Sequence, residues 1–298
     1  MKRICMSLLA GFLLLSGCSS SKETAKVKVL TPQGATALAT ISIYDSEYAD
    51  VTTVNGSDPL TAELAKENSE YDVIIAPINA GAKLIEKGNT NFRMAAIITW
   101  GNLYLVANET YQEGDPIAAF GENAVPQKIL ETTQLAKNVT YFSGVQDAQA
   151  QLLGKKTNAA LLAEPAVSAT LAKAKESGMQ LSVVTDLQER YAKVQGDKEN
   201  NGYPQAAVFV KIGSEENAKS ALDKMKSFLN EGAVDQKNVK SLIETIKAEN
   251  LGVPNADIAI ASWERQNLSY KDAKDVKEQI ASFLSLFQIT FTDDMLSK

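Results

Sequence analysis

The chain has 298 residues, 45% hydrophobic and 22% charged, the balance of a globular protein with enough length for one large core or two ordinary ones. Its 36 Asp and Glu outnumber its 30 Lys and Arg, so nucleic acid, which is held by clustered basic residues, is not an expected partner. Histidine is absent, which excludes a Ser-His-Asp hydrolase, a Cys-His protease and a His-ligated zinc centre.

The N-terminus reads Met1-Lys2-Arg3, an apolar run from Ile4 to Leu15, then Ser16-Gly17-Cys18 and three serines. That order of basic start, apolar stretch and small-residue cleavage point is a secretory signal. A membrane span needs about 20 apolar residues, and this run breaks well short of that. The tetrad Leu15-Ser16-Gly17-Cys18 resembles a bacterial lipobox, which implies that residues 1–17 are removed and that Cys18 becomes the acylated first residue. The only other cysteine, Cys5, leaves with the signal, so the mature fold is expected to hold no disulfide and no thiol nucleophile. Loss of Lys2 and Arg3 lowers the 30 basic residues to 28 against 36 acidic ones, a net charge of −8.

Residues 18–26 are polar and aperiodic and read as a flexible tether. Val27 to Thr31 is strand-like and stops at Pro32; the turn Pro32-Gln33-Gly34-Ala35 leads into a helix expected from Ala35 to Tyr44. A second strand is expected at Val51 to Val54, and Asp58-Pro59 opens a helix to about Glu67. Tyr71 to Ala76 is a short apolar run ended by Pro77, the pattern of a buried strand. A helix from Asn79 to Lys87 ends at Gly88. Met94 to Thr99 and Leu103 to Ala107 are strand-like, with Trp100-Gly101-Asn102 between them.

The middle of the chain repeats this alternation. Strands are expected at Pro116 to Phe120, Val139 to Phe142, Asn158 to Leu162 and Gln180 to Val184. Helices are expected from Ala124 to Leu135, from Val145 to Leu153 with Ser143 as its cap, and from Glu164-Pro165 to Glu176. A polar loop spans Gly196 to Gly202, and Gln205 to Val210 is another short apolar strand. The remainder reads as helical: Ser214 to Asn230, Val234 to Asn250, Asn255 to Ser262 and Lys271 to Phe287. Alternating strands and helices predict an α/β fold with mostly parallel sheets.

Five stretches carry a resemblance: Leu30 to Ala35, Asp72 to Pro77, Thr99 to Val106, Leu162 to Ala166 and Tyr203 to Phe209. In order and spacing they resemble the type II substrate-binding proteins of bacterial ABC importers, in the branch that serves nitrate, sulfonates, taurine and thiamine precursors. The resemblance implies a two-lobed periplasmic-binding-protein architecture, its sheets flanked by helices and joined by two hinge crossings. Lobe 1 would comprise residues 27–100 and 208–298, and lobe 2 residues 101–207. It further implies a monomer without cofactor or metal, lipid-anchored outside the cytoplasm, whose partners are a small-molecule solute and an ABC permease. Pyrimidine synthases on the same fold use histidine, so the resemblance disfavours an enzyme here; a sensor or receptor uncoupled from transport stays open.

In open α/β sheets, ligands bind beyond the carboxyl ends of the strands, where helices begin. The turns in that position contain Gln33, Gly34, Ala35 and Thr36; Pro77 and Asn79; Glu122 and Asn123; Ser143 and Gly144; and Glu164. Trp100, Asn102 and Gln205 fall at the two crossings. Strand-to-helix turns favour Gly, Pro, Ser and Asn for backbone reasons alone, and Glu164 before Pro165 also reads as a helix-start carboxylate. None of these turns contains Arg or Lys, so a sulfonate or nitrate would rely on helix N-termini and amides. Glu122 and Glu164 instead leave room for a cationic or amine-bearing heterocycle stacked on Trp100. Both remain open, with a neutral or heterocyclic solute slightly favoured.

Overall fold

The computed structural model describes residues 26–298 apart from 45, 136 and 197–201, so the signal, Cys18 and the tether up to residue 25 lie outside the described residues. The chain opens with β1 (Val27–Pro32), α1 (Ala35–Ala39), β2 (Ala49–Val54), α2 (Asp58–Ala65), β3 (Val73–Pro77), α3 (Ile78–Glu86) and β4 (Phe92–Thr99). It continues through β5 (Leu103–Asn108), β6 (Ile117–Phe120), α4 (Val125–Thr132), β7 (Val139–Phe142) and α5 (Val145–Leu153). Next come β8 (Ala159–Ala163), α6 (Ala166–Glu176), β9 (Leu181–Asp186) and α7 (Leu187–Gln195). The last part holds β10 (Ala206–Lys211), α8 (Glu215–Asn230), α9 (Gln236–Ile246), α10 (Ala256–Ser262), β11 (Leu268–Asp272) and α11 (Lys277–Ser285).

These strands form two sheets, one in the order β11-β4-β10-β3-β1-β2 and the other β7-β6-β8-β5-β9. Both are mixed. In the first, β1 pairs in parallel with β2 and β3, while β10 runs antiparallel between β3 and β4. In the second, β6 pairs in parallel with β7 and β8, while β5 runs antiparallel between β8 and β9. The parallel pairs are the βα units visible as alternation in the sequence. The antiparallel strands β5 and β10 each begin where the chain has just crossed from the other sheet.

Burial follows position in each sheet. β3 is apolar and buried from Val73 to Ala76 because helices cover both of its faces. β2 and β9 lie at sheet edges and expose about every second residue. One apolar cluster runs from Ile74 and Phe209 in the first sheet through Trp100 and Tyr203 to Leu105 and Leu161 in the second. A second cluster packs α1, α8, α9 and α10 on the other face of the first sheet, and a third packs α5 and α6 on the second sheet.

Three differences from the expected elements have local causes. The helix at Ala35 ends at Ala39, and turns carry the chain to Tyr44. Leu187–Gln195 is helical, capped by Asp186 at its start and by the left-handed Gly196 at its end. Leu268–Asp272 is a strand, antiparallel to β4, in a stretch expected to be helical from Lys271.

Candidate functional site

A cavity of about 630 Å³ opens between the two sheets, a size suited to a small organic molecule. The first sheet's side supplies Gln33, Gly34, Ala35, Thr36, Pro77, Asn79 and Thr99, and the second sheet's side supplies Phe120, Val125, Pro126, Gln146, Gln149 and Lys173. The crossings supply Asn102 and Gln205, and Glu164 lies at the start of α6. The helices α3, α4, α5 and α6 all begin at this wall, and none has a side-chain cap from its N-cap residue. Their first turns therefore lie in the same region as the side chains, with the Ile78 N–H of α3 donated to the Gln205 carbonyl and the Ser168 N–H of α6 donated to Glu164 Oε2.

Hydrogen bonds fix much of the polar lining. Asn102 Nδ2 donates to the Glu164 carbonyl at 3.1 Å, and Gln205 Nε2 donates to Asn102 Oδ1 at 3.1 Å. Gln149 Nε2 donates to Thr170 Oγ1 at 2.8 Å, and that hydroxyl donates in turn to the Ala166 carbonyl at 2.6 Å. Among the described residues, Asn79 Oδ1, Thr99 Oγ1 and Gln205 Oε1 are buried side-chain oxygens without a hydrogen-bond partner, and all three residues line the cavity. The Thr36 hydroxyl donates to the Pro32 carbonyl at 2.6 Å and so anchors the turn before α1.

Glu164 has a fully buried side chain, and its two oxygens are occupied. Oε2 accepts from the Ser168 backbone N–H at 3.0 Å, and Oε1 accepts from the Ser168 hydroxyl and from Arg265 Nε at 2.9 and 2.5 Å. It is a helix-start carboxylate neutralised across the interface by a guanidinium that follows α10. Beside this pair, Tyr104 donates its hydroxyl to the Arg265 carbonyl at 3.0 Å. Burial, chiefly, pushes the Tyr104 phenol well above its ordinary range, which keeps it a neutral donor.

Nine of the expected site residues thus converge on one cavity: Gln33, Gly34, Ala35, Thr36, Pro77, Asn79, Asn102, Glu164 and Gln205. Five do not line it. Trp100 is buried at 4% exposure in the crossing, its Nε1 donates to the Ser269 carbonyl, and Lys271 Nζ lies 4.7 Å from its ring centroid. Strand β11 covers this ring, so it packs the hinge and offers no face to the cavity. Glu122 is exposed, and the Asn123 N–H donates to Gln127 Oε1; neither lines the cavity, although Gly121 and Ala124 of the same turn do. Ser143 donates to Asp147 Oδ2 through a short hydrogen bond at the start of α5, and Gly144 is the N-cap there. Of the three residues that left room for a cationic heterocycle, Trp100 and Glu122 do not line the cavity, and Glu164 lines it with both oxygens already paired.

Gln149 and Lys173 were missed because they come from helix bodies, and Gln146 because it lies just past the turn, in the first turn of α5. Their spacing carries a signal: Gln146 and Gln149 are three apart, and Ala166, Ala169 and Lys173 fall on one helical face. Thr99 was missed because a strand's last residue is indistinguishable in sequence from its core.

No protein-family model matches the chain, and no curated protein matches it. Among solved structures, it superposes with a TM-score of 0.75 on an ABC transporter protein from Parabacteroides distasonis, 24% identical over 88% of this chain and 92% of that one. The ligand-binding component of an ABC-type import system from Staphylococcus aureus, solved with zinc bound, gives 0.63 at 12% identity over 91% and 96%. The periplasmic aliphatic sulphonate binding protein SsuA from Escherichia coli gives 0.61 at 13% identity over 88% and 86%. The chain has the periplasmic-binding-protein fold, the fold of these ABC-transporter substrate-binding proteins.

Proposed function

We propose that this chain is the solute-binding component of an ABC importer, held outside the cytoplasm by an acylated Cys18, and that it captures a small organic solute between its lobes for delivery to a permease. Lobe 1 is residues 27–100 with 208–298, and lobe 2 is residues 101–207. The observation that carries this reading is the cavity itself: strand-to-helix turns from two separate sheets converge on it, with unpartnered polar atoms in its wall. A cleft between two bodies joined by short crossings is suited to hinge closure, for which periplasmic binding proteins are a general example. The neighbours' descriptions as ligand-binding components support the same role. Sulfonate, nitrate and thiamine-precursor solutes are those that the sequence resemblance implies.

Thermal-shift screening of sulfonates, pyrimidines, amides, amines and inorganic anions, followed by small-angle scattering with each hit, tests the reading. The expected result is a raised melting temperature with a smaller radius of gyration. Turnover of a hit into product, or no hit together with unchanged scattering, would refute it.

A further inference from the structure

We propose that the cavity selects an uncharged solute carrying a carboxamide or ureide group, C=O and N–H together, over an anionic sulfonate or nitrate. This rests on the reading of the chain as a solute receptor and specifies which chemistry that receptor recognises.

Two glutamines, Gln205 and Gln149, have their amide orientation set by groups that can act in one sense only. A main-chain carbonyl can only accept, so the Glu164 carbonyl fixes Nδ2 of Asn102 towards itself and leaves Asn102 Oδ1 as an acceptor. Gln205 must then present Nε2 to Asn102, which leaves its Oε1 buried, unpartnered and in the cavity wall. On the opposite lobe, the Thr170 hydroxyl gives its proton to the Ala166 carbonyl and so must accept from Gln149 Nε2. Gln149 also lines the cavity, and its Oε1 is the amide atom that this bond leaves unused. Both lobes therefore offer an oriented amide oxygen, and such an oxygen binds only a donor.

The Gln205 acceptor is not isolated. The Gln205 N–H donates to the Thr99 carbonyl at 3.0 Å, and the Ile78 N–H donates to the Gln205 carbonyl at 3.1 Å. Those two backbone bonds set Thr99, Gln205 and Asn79 side by side across β4, β10 and the start of α3. Thr99 is 1% exposed with an unpartnered hydroxyl, and Asn79 adds a buried unpartnered oxygen. Leaving such groups unpaired in a buried wall is costly, so a solute that donates N–H groups here recovers that penalty. A sulfonate or nitrate has only lone pairs, and it would set them against the Gln205 oxygen.

Charge decides between a neutral donor and a cation. Among the described residues, the one carboxylate in the lining, Glu164, is already paired with Arg265 and Ser168. An ammonium would enter a closed cavity with no anionic partner, which is costly. Lys173, the one cationic side chain in the lining among the described residues, is exposed at the rim. The solute's own acceptor meets first-turn N–H groups of α3, α5 and α6 other than those of Ile78 and Ser168, which are already paired. Apolar residues of the second lobe, Phe120, Val125 and Pro126, then cover the solute's carbon body.

Calorimetric titration of the purified full chain with probes of one shape tests this: benzamide, N,N-dimethylbenzamide and benzenesulfonate, with nitrate alongside. Benzamide is expected to bind about tenfold more tightly than the dimethyl form, which lacks both donors, and the two anions are expected not to compete. Thr99→Val and Gln205→Leu are expected to weaken benzamide about tenfold while leaving the dimethyl form unchanged, and circular dichroism melting separates this from unfolding. Tighter binding of benzenesulfonate or nitrate would overturn the amide assignment and leave the solute-receptor reading standing. Equal affinity for benzamide and its dimethyl form would do the same. Silence from every probe, with unchanged scattering, would overturn both.

Discussion

Asp186 holds the start of α7 with a single oxygen: its Oδ1 accepts from the N–H groups of Gln188 and Glu189 at 2.8 and 3.0 Å and from Gln188 Nε2 at 3.1 Å. Burial pushes its carboxyl above the usual aspartate value, outweighing the backbone bonds that pull it down. A raised folded-state pKa means that the folded chain holds this proton more tightly than the unfolded chain does. Stability from this group therefore falls as pH rises from the ordinary aspartate range through the folded value, and is flat above it. Asp186→Asn keeps the capping oxygen, and Asn caps helices about as well as Asp. We expect the variant to match or exceed the parent in urea unfolding at neutral pH, its relative advantage shrinking as the solution is made acidic. A variant less stable at neutral pH than in acid, relative to the parent, would show that the charge itself stabilises the cap. At this scale the sequence discloses candidates and not roles. Gln33 and Asn79 reach the cavity because turns after strands end on that side, and Gln205 because the returning crossing enters β10 there. Trp100 sits in an equally suggestive place, but its burial depends on Ser269 and Lys271, whose nearness no local pattern announces.

Elements were legible where their pattern was local. The run Asp72 to Pro77 announces β3, and the glycine after Lys87 announces the end of α3. β11 has one buried residue, Tyr270, and so lacks the alternation that marks a strand; its existence depends on pairing with β4. α7 does carry a helical signal, since Leu187, Gln188, Tyr191 and Ala192 are its buried residues, but its polar surface hid it. The crossings show why two short connections fix the joint between the sheets. Gly202 has φ of 135°, and a Cβ there would lie 1.9 Å from the Trp100 carbonyl oxygen. That carbonyl accepts from the Tyr203 N–H at 3.1 Å and from Asn267 Nδ2 at 2.7 Å, so it cannot retreat without breaking both bonds. Beyond it, Tyr203 stacks on Phe283 of α11 with centroids 5.4 Å apart and meets Tyr191 of α7 edge-on at 5.2 Å. Gly202→Ala adds a left-side strain to a backbone clash, and the two effects together should cost more than about 2 kcal/mol. Chemical denaturation would measure the loss, and a fully stable variant would mean that the crossings are looser than this packing indicates.

At the scale of the whole molecule, the proposed attachment to a membrane rests on Cys18, which lies outside the described residues. No helix among the described residues is long and apolar enough to cross a bilayer. The processed chain would carry eight more acidic than basic residues, so an anionic lipid surface repels the body and gives no electrostatic hold. A lipid on Cys18 is the attachment proposed here. Each buried CH₂ contributes about 0.8 kcal/mol, and stable anchoring takes more than one chain, so the cysteine should carry a multiply acylated group. Growth of expressing cells with an alkyne-bearing fatty acid, followed by coupling to a fluorophore, reads this directly. The parent chain should be labelled and should partition into detergent, and a high-salt wash should leave it on the membrane. Cys18→Ala should lose the label altogether, whether or not its signal segment is cleaved. Label retained by the variant would place acylation elsewhere, and an unlabelled parent released by salt would mean that the tether binds a protein partner and not the lipid.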